Sequence, residues 1–185
     1  MIIGITGTNG GGKGTVVEYL ATKGYRHYSV REFLTSELEK KGSEVNRSEM
    51  RLLANEIRAT KDPAYIIRSL YEKAVADNAE DAVIESIRNV GEAEFLLSKD
   101  VFLLAVDADQ ERRFHRVQER RSATDQVDFL TFVYHEEREM HPEGPHDMDI
   151  RGVMRLAHKT IMNDGSLNEL HTNVDTLLGE IDQKK

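Results

Sequence analysis

The sequence predicts an α/β fold in which helices cover both faces of a five-stranded parallel sheet. Short apolar segments typical of buried strands alternate along the chain with segments of helical spacing. This alternation favours right-handed crossovers between parallel strands. The first apolar segment leads directly into a run of glycines, and 185 residues suffice for one domain, covering 1–185, with both sheet faces buried.

The composition excludes several classes of protein. The net charge of −8 argues against broad nucleic-acid binding, and the lack of cysteine excludes disulfides and thiolate zinc sites. No apolar run is long enough to span a membrane, and no basic segment precedes the first apolar stretch. We therefore expect a cytoplasmic protein without a membrane partner. In so acidic a chain, an anionic substrate requires a local cluster of arginines.

The first fifteen residues contain the most specific motif. An apolar, β-branched run at 2–6 is followed by a segment that satisfies the P-loop pattern G-x-x-x-x-G-K, from Gly7 to Lys13. In such a loop the backbone N–H groups and the following helix N-terminus surround a phosphate, and the lysine reaches the outer phosphates. The predicted nucleotide ligands here are Gly7, Asn9, Gly10, Gly11, Gly12, Lys13, Gly14 and Thr15.

One residue departs from the general P-loop pattern and narrows the choice of protein family. Gly14 stands where the general pattern has a hydroxyl residue, and the hydroxyl follows at Thr15. The resulting pattern, G-x-x-G-x-G-K-G-T, resembles the adenylate kinase branch of the nucleoside monophosphate kinases. This resemblance implies a three-layer P-loop NTPase fold with strand order 2-3-1-4-5, ATP as phosphoryl donor and Mg²⁺. With Gly14 in this position, we expect the metal to depend on water, nucleotide oxygens, nearby Thr15 and a second acidic residue.

The remaining elements are predicted from periodicity and from start and stop signals. Further strands are predicted over 25–30, 82–87, 101–106 and 159–162. Four pairs of residues each predict a helix start: the capping pairs Ser29/Glu32, Asn46/Glu49 and Ser166/Glu169, and the Asp62-Pro63 pair. Other helices are predicted over 15–23, 91–99, 110–121, 127–140 and 150–157.

The segment 28–35 follows the second strand and resembles the adenylate kinase segment S-T-G-D-x-L-R. Ser29 matches its first position and Glu32 its acid, which implies binding of the acceptor. The family's phosphate-binding arginine falls on Thr35, so Arg31 or Arg51 would have to supply the charge, or the acceptor is not a nucleoside monophosphate. Ser29 is equally explained as a helix cap alone.

The third strand ends in a segment that resembles the kinase pattern D-G-x-P-R. Glu85 matches the acid that positions Mg²⁺ or its waters, and Arg88 matches the arginine that binds the acceptor phosphate. The alternative is a simple ion pair at a strand end. Glu92 falls where adenylate kinases carry a base-reading glutamine, although it also suits the first turn of a helix.

Arginines follow the fourth strand in the pattern R-x-x-x-R-R, formed by Arg116, Arg120 and Arg121. This pattern resembles the start of the adenylate kinase lid, here about 116–128. Arg116 and Arg120 share a helix face, so both guanidinium groups can contact one phosphoryl group. A solvated basic helix is the alternative. Arg138 is either a further lid arginine or part of a surface ion pair.

The segment 157–170 resembles dephospho-coenzyme A kinases, whose Asn-x-Gly turn borders the donor adenine. Asn163 and Gly165 match that turn, which also has an ordinary explanation as a strand-to-helix connection. In dephospho-coenzyme A kinases an Asp stands where this chain has His158.

Together these segments predict an ATP-dependent phosphotransferase with catalytic residues Lys13, Arg88, Arg116 and Arg120. The favoured acceptor is a small phosphorylated molecule, most simply a (deoxy)nucleoside monophosphate, bound by a helical insertion over about 31–75. Two alternatives stay open. One is dephospho-coenzyme A kinase-like activity, and the other is an ATPase switch that acts on a protein partner.

Overall fold

Strands and helices alternate along the chain in the predicted order. The computed structural model describes residues 1–120, 127–144 and 146–183, apart from the Arg47 side chain. One parallel sheet has the order β2-β3-β1-β4-β5, which confirms the predicted fold class. Its strands are β1 Ile2–Gly7, β2 Arg26–Ser29, β3 Ala82–Glu85, β4 Phe102–Asp107 and β5 Lys159–Met162.

Helices connect these strands. Within the described residues they are α1 Lys13–Thr22, α2 Val30–Lys41, α3 Arg47–Thr60, α4 Tyr65–Ala76, α5 Val90–Leu97, α6 Gln110–Glu119, α7 Phe129–Met140, α8 Ile150–Leu156 and α9 Leu167–Asp182. None of them is long and apolar enough to cross a membrane.

The sheet is buried on both faces. On one face α1 and α9 cover Ile3, Ile5 and Leu104, together with their apolar neighbours. On the other face α2, α3, α4, α5 and α8 cover Ile84 and Leu103. This two-sided burial explains why the central strands are continuous apolar runs rather than alternating ones.

Side-chain caps set several helix starts where the sequence predicts them. Ser29 accepts a hydrogen bond from the Glu32 amide, and Asn46 accepts one from the Glu49 amide. Ser166 forms a full capping box ahead of α9. The predicted start at Pro63 is two residues early, because the Asp62 carboxylate accepts from the Ala64 amide, 2.9 Å away, and holds a turn before α4.

Three helices, α2 to α4, fill the connection between β2 and β3. They coincide with the segment predicted to bind the acceptor, and that role stays a prediction. The predicted lid at about 116–128 falls partly on 121–126, which lie outside the described residues, as does Arg121.

Candidate active site

The loop between β1 and α1 has a backbone that requires glycine at both ends. Gly7 and Gly12 have φ values of 130° and 107°, which L side chains rarely adopt. A Cβ atom on Gly7 would lie 2.0 Å from the Val106 carbonyl oxygen. Gly12 is also the N-cap of α1 and offers no side-chain acceptor. The first amide groups of α1 are therefore left uncapped, as in an anion-binding helix terminus.

Lys13 folds back onto this loop. Its Nζ donates hydrogen bonds to the carbonyl oxygens of Gly7, at 2.9 Å, and Thr8, at 2.7 Å. Burial lowers the pKa of Lys13 to about 7, and nearby charges modify that effect. In decreasing order of influence the charged side chains around the ammonium are Arg88, Glu139, Glu85 and Arg120. The fold thus brings three predicted site residues, and one that was not predicted, within electrostatic range of Lys13.

Glu85 ends β3 beside the loop, as predicted. One of its carboxylate oxygens lies 3.7 Å from Nε2 of His27 on the neighbouring strand. The His27 contact lowers the pKa of Glu85, and the Glu85 carboxylate raises the pKa of His27. Glu85 is therefore an ionised, largely buried carboxylate close to Lys13.

A pocket of about 430 Å³ opens on the opposite side of the loop from β3. Its walls come from the glycine loop, the end of α6 and the turn after β5. The lining residues are Gly10, Gly12, Thr15, Arg116, Glu119, Arg120, Asn163, Gly165, Leu167 and Leu170. The pocket therefore gathers the predicted donor residues Thr15, Asn163 and Gly165 with two of the predicted lid arginines.

Arg116 points into this pocket. Its Nη2 donates to the Asn163 carbonyl oxygen over 2.8 Å. Its Nη1 is buried and has no hydrogen-bond partner among the described residues. A buried unpaired donor is costly, and a guanidinium donor beside a glycine loop fits a phosphate oxygen. Arg120, by contrast, is exposed in this conformation.

Arg88 lies on the β3 side of Lys13. Its Nη1 lies 3.3 Å from a Glu139 carboxylate oxygen and 3.5 Å from the Met148 sulfur. Its backbone oxygen accepts from the Asp149 amide at 2.8 Å. Arg88 is thus held at both its main chain and its side chain, and about a quarter of the side chain, 28%, is exposed.

The predicted acceptor-binding residues at the start of α2 and in α3 differ in how buried they are. Ser29 is buried as the N-cap of α2, and its hydroxyl oxygen accepts from the Glu32 amide. Arg31, Glu32 and Arg51 are exposed on the surface of these helices. Their predicted acceptor contacts stay predictions, as does a site role for Arg138, which is exposed on α7.

Glu92 requires a correction. The sequence suggests that it reads the acceptor, but the side chain is completely buried, with 0% exposure. One carboxylate oxygen accepts from Nε and Nη2 of Arg58, and the other accepts from the amides of Arg88 and Asn89. With both oxygens engaged inside the protein, the Glu92 carboxylate has no free oxygen to offer an acceptor. Its place in the first turn of α5 explains the backbone contacts.

Sequence reasoning missed a second buried ion pair. Arg113, on α6, donates to Glu136, on α7, and to the Ala108 carbonyl oxygen at 2.7 Å. Asp107, at the end of β4, accepts from the Thr8 hydroxyl at 2.6 Å and lies 3.4 Å from Arg113. Of these residues only Asp107 could have been identified from the sequence, because it follows a predicted strand and ligands bind at the carboxyl ends of parallel strands.

The chain resembles known proteins along nearly its whole length. It is 27% identical to a UPF0200 protein of Methanococcus vannielii, over 97% of this chain and 96% of that one. A UPF0200 protein of Thermococcus kodakarensis is 23% identical and is matched over 100% of both chains.

Solved structures share the fold. TT1252 from Thermus thermophilus superposes with a TM-score of 0.63 at 23% identity, covering 97% of each chain. Shikimate kinase from Acinetobacter baumannii, solved with shikimate, superposes with a TM-score of 0.60 at 14% identity, covering 97% of this chain and 93% of the other. The fold is therefore that of a P-loop kinase. The sequence also matches the family described as an AAA domain over residues 3–142, and the chain belongs to that family.

Proposed function

We propose that this protein transfers the γ-phosphoryl group of ATP to a small phosphorylated acceptor. The observation that carries the proposal is the position of Lys13. It lies on the glycine loop and within electrostatic range of Arg88 on one side and Arg120 on the other. Phosphoryl transfer needs little covalent chemistry from the protein, and depends on positioning and on stabilising negative charge. Lys13, which bound phosphates would keep charged, would meet that need between two binding regions.

The donor side would use the loop and the 430 Å³ pocket. The loop amides and Lys13 would bind the β- and γ-phosphates, and Arg116 Nη1 would donate to a phosphate oxygen. Leu167, which is 55% exposed at the pocket, offers an apolar surface for the base. Asn163 and Gly165 would form the edge of the base site.

A magnesium ion fits this arrangement if the nucleotide supplies most of its oxygen ligands. Among the described residues, no three His, Cys, Asp or Glu side chains are grouped so as to hold a metal. Thr15 would contribute its hydroxyl, and the ionised Glu85 carboxylate would orient water on the ion. When bound, magnesium would neutralise charge on the β- and γ-phosphates.

The acceptor side would be organised by Arg88. In this structure its guanidinium is paired with Glu139. An acceptor phosphate would exchange places with that carboxylate, since guanidinium binds phosphate bidentately. Because Glu139 lies on α7, just after the predicted lid, this exchange would accompany closure of the lid over the reacting groups.

Glu139 also favours a second candidate within the same reaction class. An acceptor that reacts through a hydroxyl, as dephospho-coenzyme A does, needs a group that accepts the hydroxyl proton. Glu139 is a carboxylate near both Arg88 and Lys13 and is suited to that task. An acceptor that reacts through a phosphate has no such need. Glu139→Gln would therefore reduce turnover strongly with an acceptor that reacts through a hydroxyl and weakly with one that reacts through a phosphate.

A coupled assay across nucleoside monophosphates, deoxynucleoside monophosphates and dephospho-coenzyme A tests the proposal. We expect ADP release to depend on one of these acceptors and to be lost in Lys13→Ala, but not in Lys159→Ala, an exposed lysine at the start of β5. Activity restricted to dephospho-coenzyme A would favour the second candidate. Dependence on no acceptor would contradict both.

A further inference from the structure

Arg58 and Glu92 form a buried ion pair between the acceptor-side helices and the turn that carries Arg88. Arg58 is 2% exposed and Glu92 is 0% exposed. Arg58 Nε and Nη2 both donate to Glu92 Oε1, at 2.9 and 2.8 Å. Arg58 belongs to α3, and Glu92 to the first turn of α5. The pair therefore joins two helices through residues that are 34 positions apart in sequence.

The second oxygen of Glu92 acts on the main chain. Oε2 accepts from the Arg88 amide at 2.8 Å and from the Asn89 amide at 3.1 Å. The same turn begins at Ser86, whose φ of 69° is unusual for a residue with a side chain. Glu92 thus fixes two successive amides of this turn, one of them that of Arg88. The Asp149 amide and the contacts of Ile5 and Thr6 with Ile87 hold its other backbone groups.

Stability alone is a weak explanation for this pair. Removing two charges from water is costly, and apolar residues of similar volume often stabilise a protein at least as well. An ion pair, unlike an apolar pair, provides a directional link. The position of Arg58 fixes the Glu92 carboxylate, and the carboxylate fixes two backbone amides. Asn55 extends the link, because its Oδ1 accepts from Arg58 Nη1 at 3.4 Å and its Nδ2 lies 3.5 Å from Asp147.

We propose that Arg58 and Glu92 are positioning residues, which transmit the position of α3 to Arg88 and so set the acceptor site. This inference rests on the acceptor role proposed for Arg88. When α3 moves on binding an acceptor, the ion pair carries the turn with it, and the Arg88 guanidinium moves with the turn. Glu92 acts from behind the site and touches no substrate.

The test uses the full-length double variant Arg58→Met/Glu92→Gln. The Glu92→Gln change keeps one side-chain oxygen for the two backbone amides, and the Arg58→Met change fills the volume of the arginine without leaving a buried charge. The control is Lys159→Met/Glu180→Gln, which removes an exposed ion pair between β5 and α9, outside the acceptor-side helices. Circular dichroism and thermal unfolding first establish that both variants are folded. If the double variant is not folded, the single variant Arg58→Lys replaces it in the same measurements.

Two measurements then decide the question. We expect at least a tenfold rise in acceptor KM in the double variant, with ATP affinity within twofold of the original protein and no change in the control. We also expect at least tenfold faster hydrogen exchange at the Arg88 and Asn89 amides. Unchanged acceptor KM and unchanged exchange would overturn the proposal, as would an equal loss of ATP affinity.

The two measurements separate this inference from the proposed function. If the original protein transfers phosphate to no acceptor, the proposed function fails. Hydrogen exchange at the two amides, measured with and without ATP, then decides by itself whether Arg58 controls the turn. Faster exchange in the double variant supports the link, and unchanged exchange contradicts it.

Discussion

The side-chain amide of Asn163 donates a 3.0 Å hydrogen bond to the carbonyl oxygen of Gly11. This bond joins the turn after β5 to the glycine loop, across 152 residues of sequence. The close fit leaves no room for a side chain on Gly12, whose Cβ would lie 2.2 Å from the Asn163 amide nitrogen. The backbone oxygen of Asn163 also anchors Arg116. Asn163 therefore supports both the phosphate loop and the arginine that faces it.

Asn163→Ala should weaken ATP binding while leaving acceptor binding intact. The variant loses the bond to Gly11 and leaves a buried carbonyl oxygen without that partner, a cost of about 1–2 kcal/mol or roughly 5–30-fold in affinity. Titration calorimetry with ATP measures this effect. Asn168→Ala, at an exposed position on α9, is the matched control, and equal affinities for the two variants would contradict the assigned role.

ATP binding should depend on pH through Lys13. In the free protein burial places the pKa of Lys13 at about 7, so the ammonium loses its proton as the pH rises above 7. Bound phosphates favour the charged form, so binding raises this pKa and takes up a proton. ATP affinity should then fall by about tenfold per pH unit above pH 7 until the pKa of the complex is reached.

Calorimetry in buffers of different ionisation enthalpy measures the proton uptake directly. Lys13→Arg is the control, because a guanidinium keeps its charge throughout this range, and its proton uptake should be close to zero. A pH-independent affinity in the original protein, with no proton taken up at pH 8, is the result that this account does not allow.

Arg116→Lys should lower the rate of transfer more than it lowers affinity. The guanidinium reaches the Asn163 carbonyl oxygen with Nη2 and keeps Nη1 for a ligand. A lysine ammonium is a single point charge and does not reproduce this two-sided geometry. Loss of one donor that stabilises transition-state charge costs about 10²–10³-fold in kcat. Steady-state kinetics against Arg112→Lys, an exposed arginine on the same helix, checks this, and equal kcat values would refute it.

Arg88→Ala should chiefly impair use of the acceptor. Removing a charged hydrogen-bond donor from a phosphate costs about 1.5–3 kcal/mol, which corresponds to roughly 10–150-fold in acceptor KM or kcat/KM. ATP affinity should change little, since in the proposed mechanism the loop, and not Arg88, binds the donor phosphates. If ATP affinity fell and acceptor KM did not, Arg88 would belong to the donor site instead.

Local signals allowed much of the fold to be predicted. The Ser166/Glu169 capping box and the start of β5 at Lys159 depend on residues within a few positions of each other. The glycine loop is equally local, and its Lys13 lies where the motif places it. The alternation of strand and helix segments along the chain was enough to predict the parallel sheet, because a helix between two strands allows the crossover that parallel neighbours require.

Contacts between distant segments could not be predicted in the same way. Arg58 and Glu92 are 34 residues apart, and Arg113 and Glu136 are 23 apart, with no periodic pattern that links them. Glu92 shows the consequence. Its sequence position was compatible with both a helix cap and a ligand contact, and only the three-dimensional proximity of Arg58 distinguishes the two. Glu139 was missed for the same reason, since only the fold brings it to Arg88.

The most direct test of the central claim follows the γ-phosphoryl group itself. ATP labelled at the γ-phosphorus is incubated with the protein, magnesium and each acceptor in turn, and the label is measured in acceptor and in inorganic phosphate. We predict that with the correct acceptor most of the label is found in the acceptor, and that Lys13→Ala removes this product. Label released only as inorganic phosphate, at a rate indifferent to every acceptor, would contradict the claim and favour an ATPase switch that acts on a protein partner.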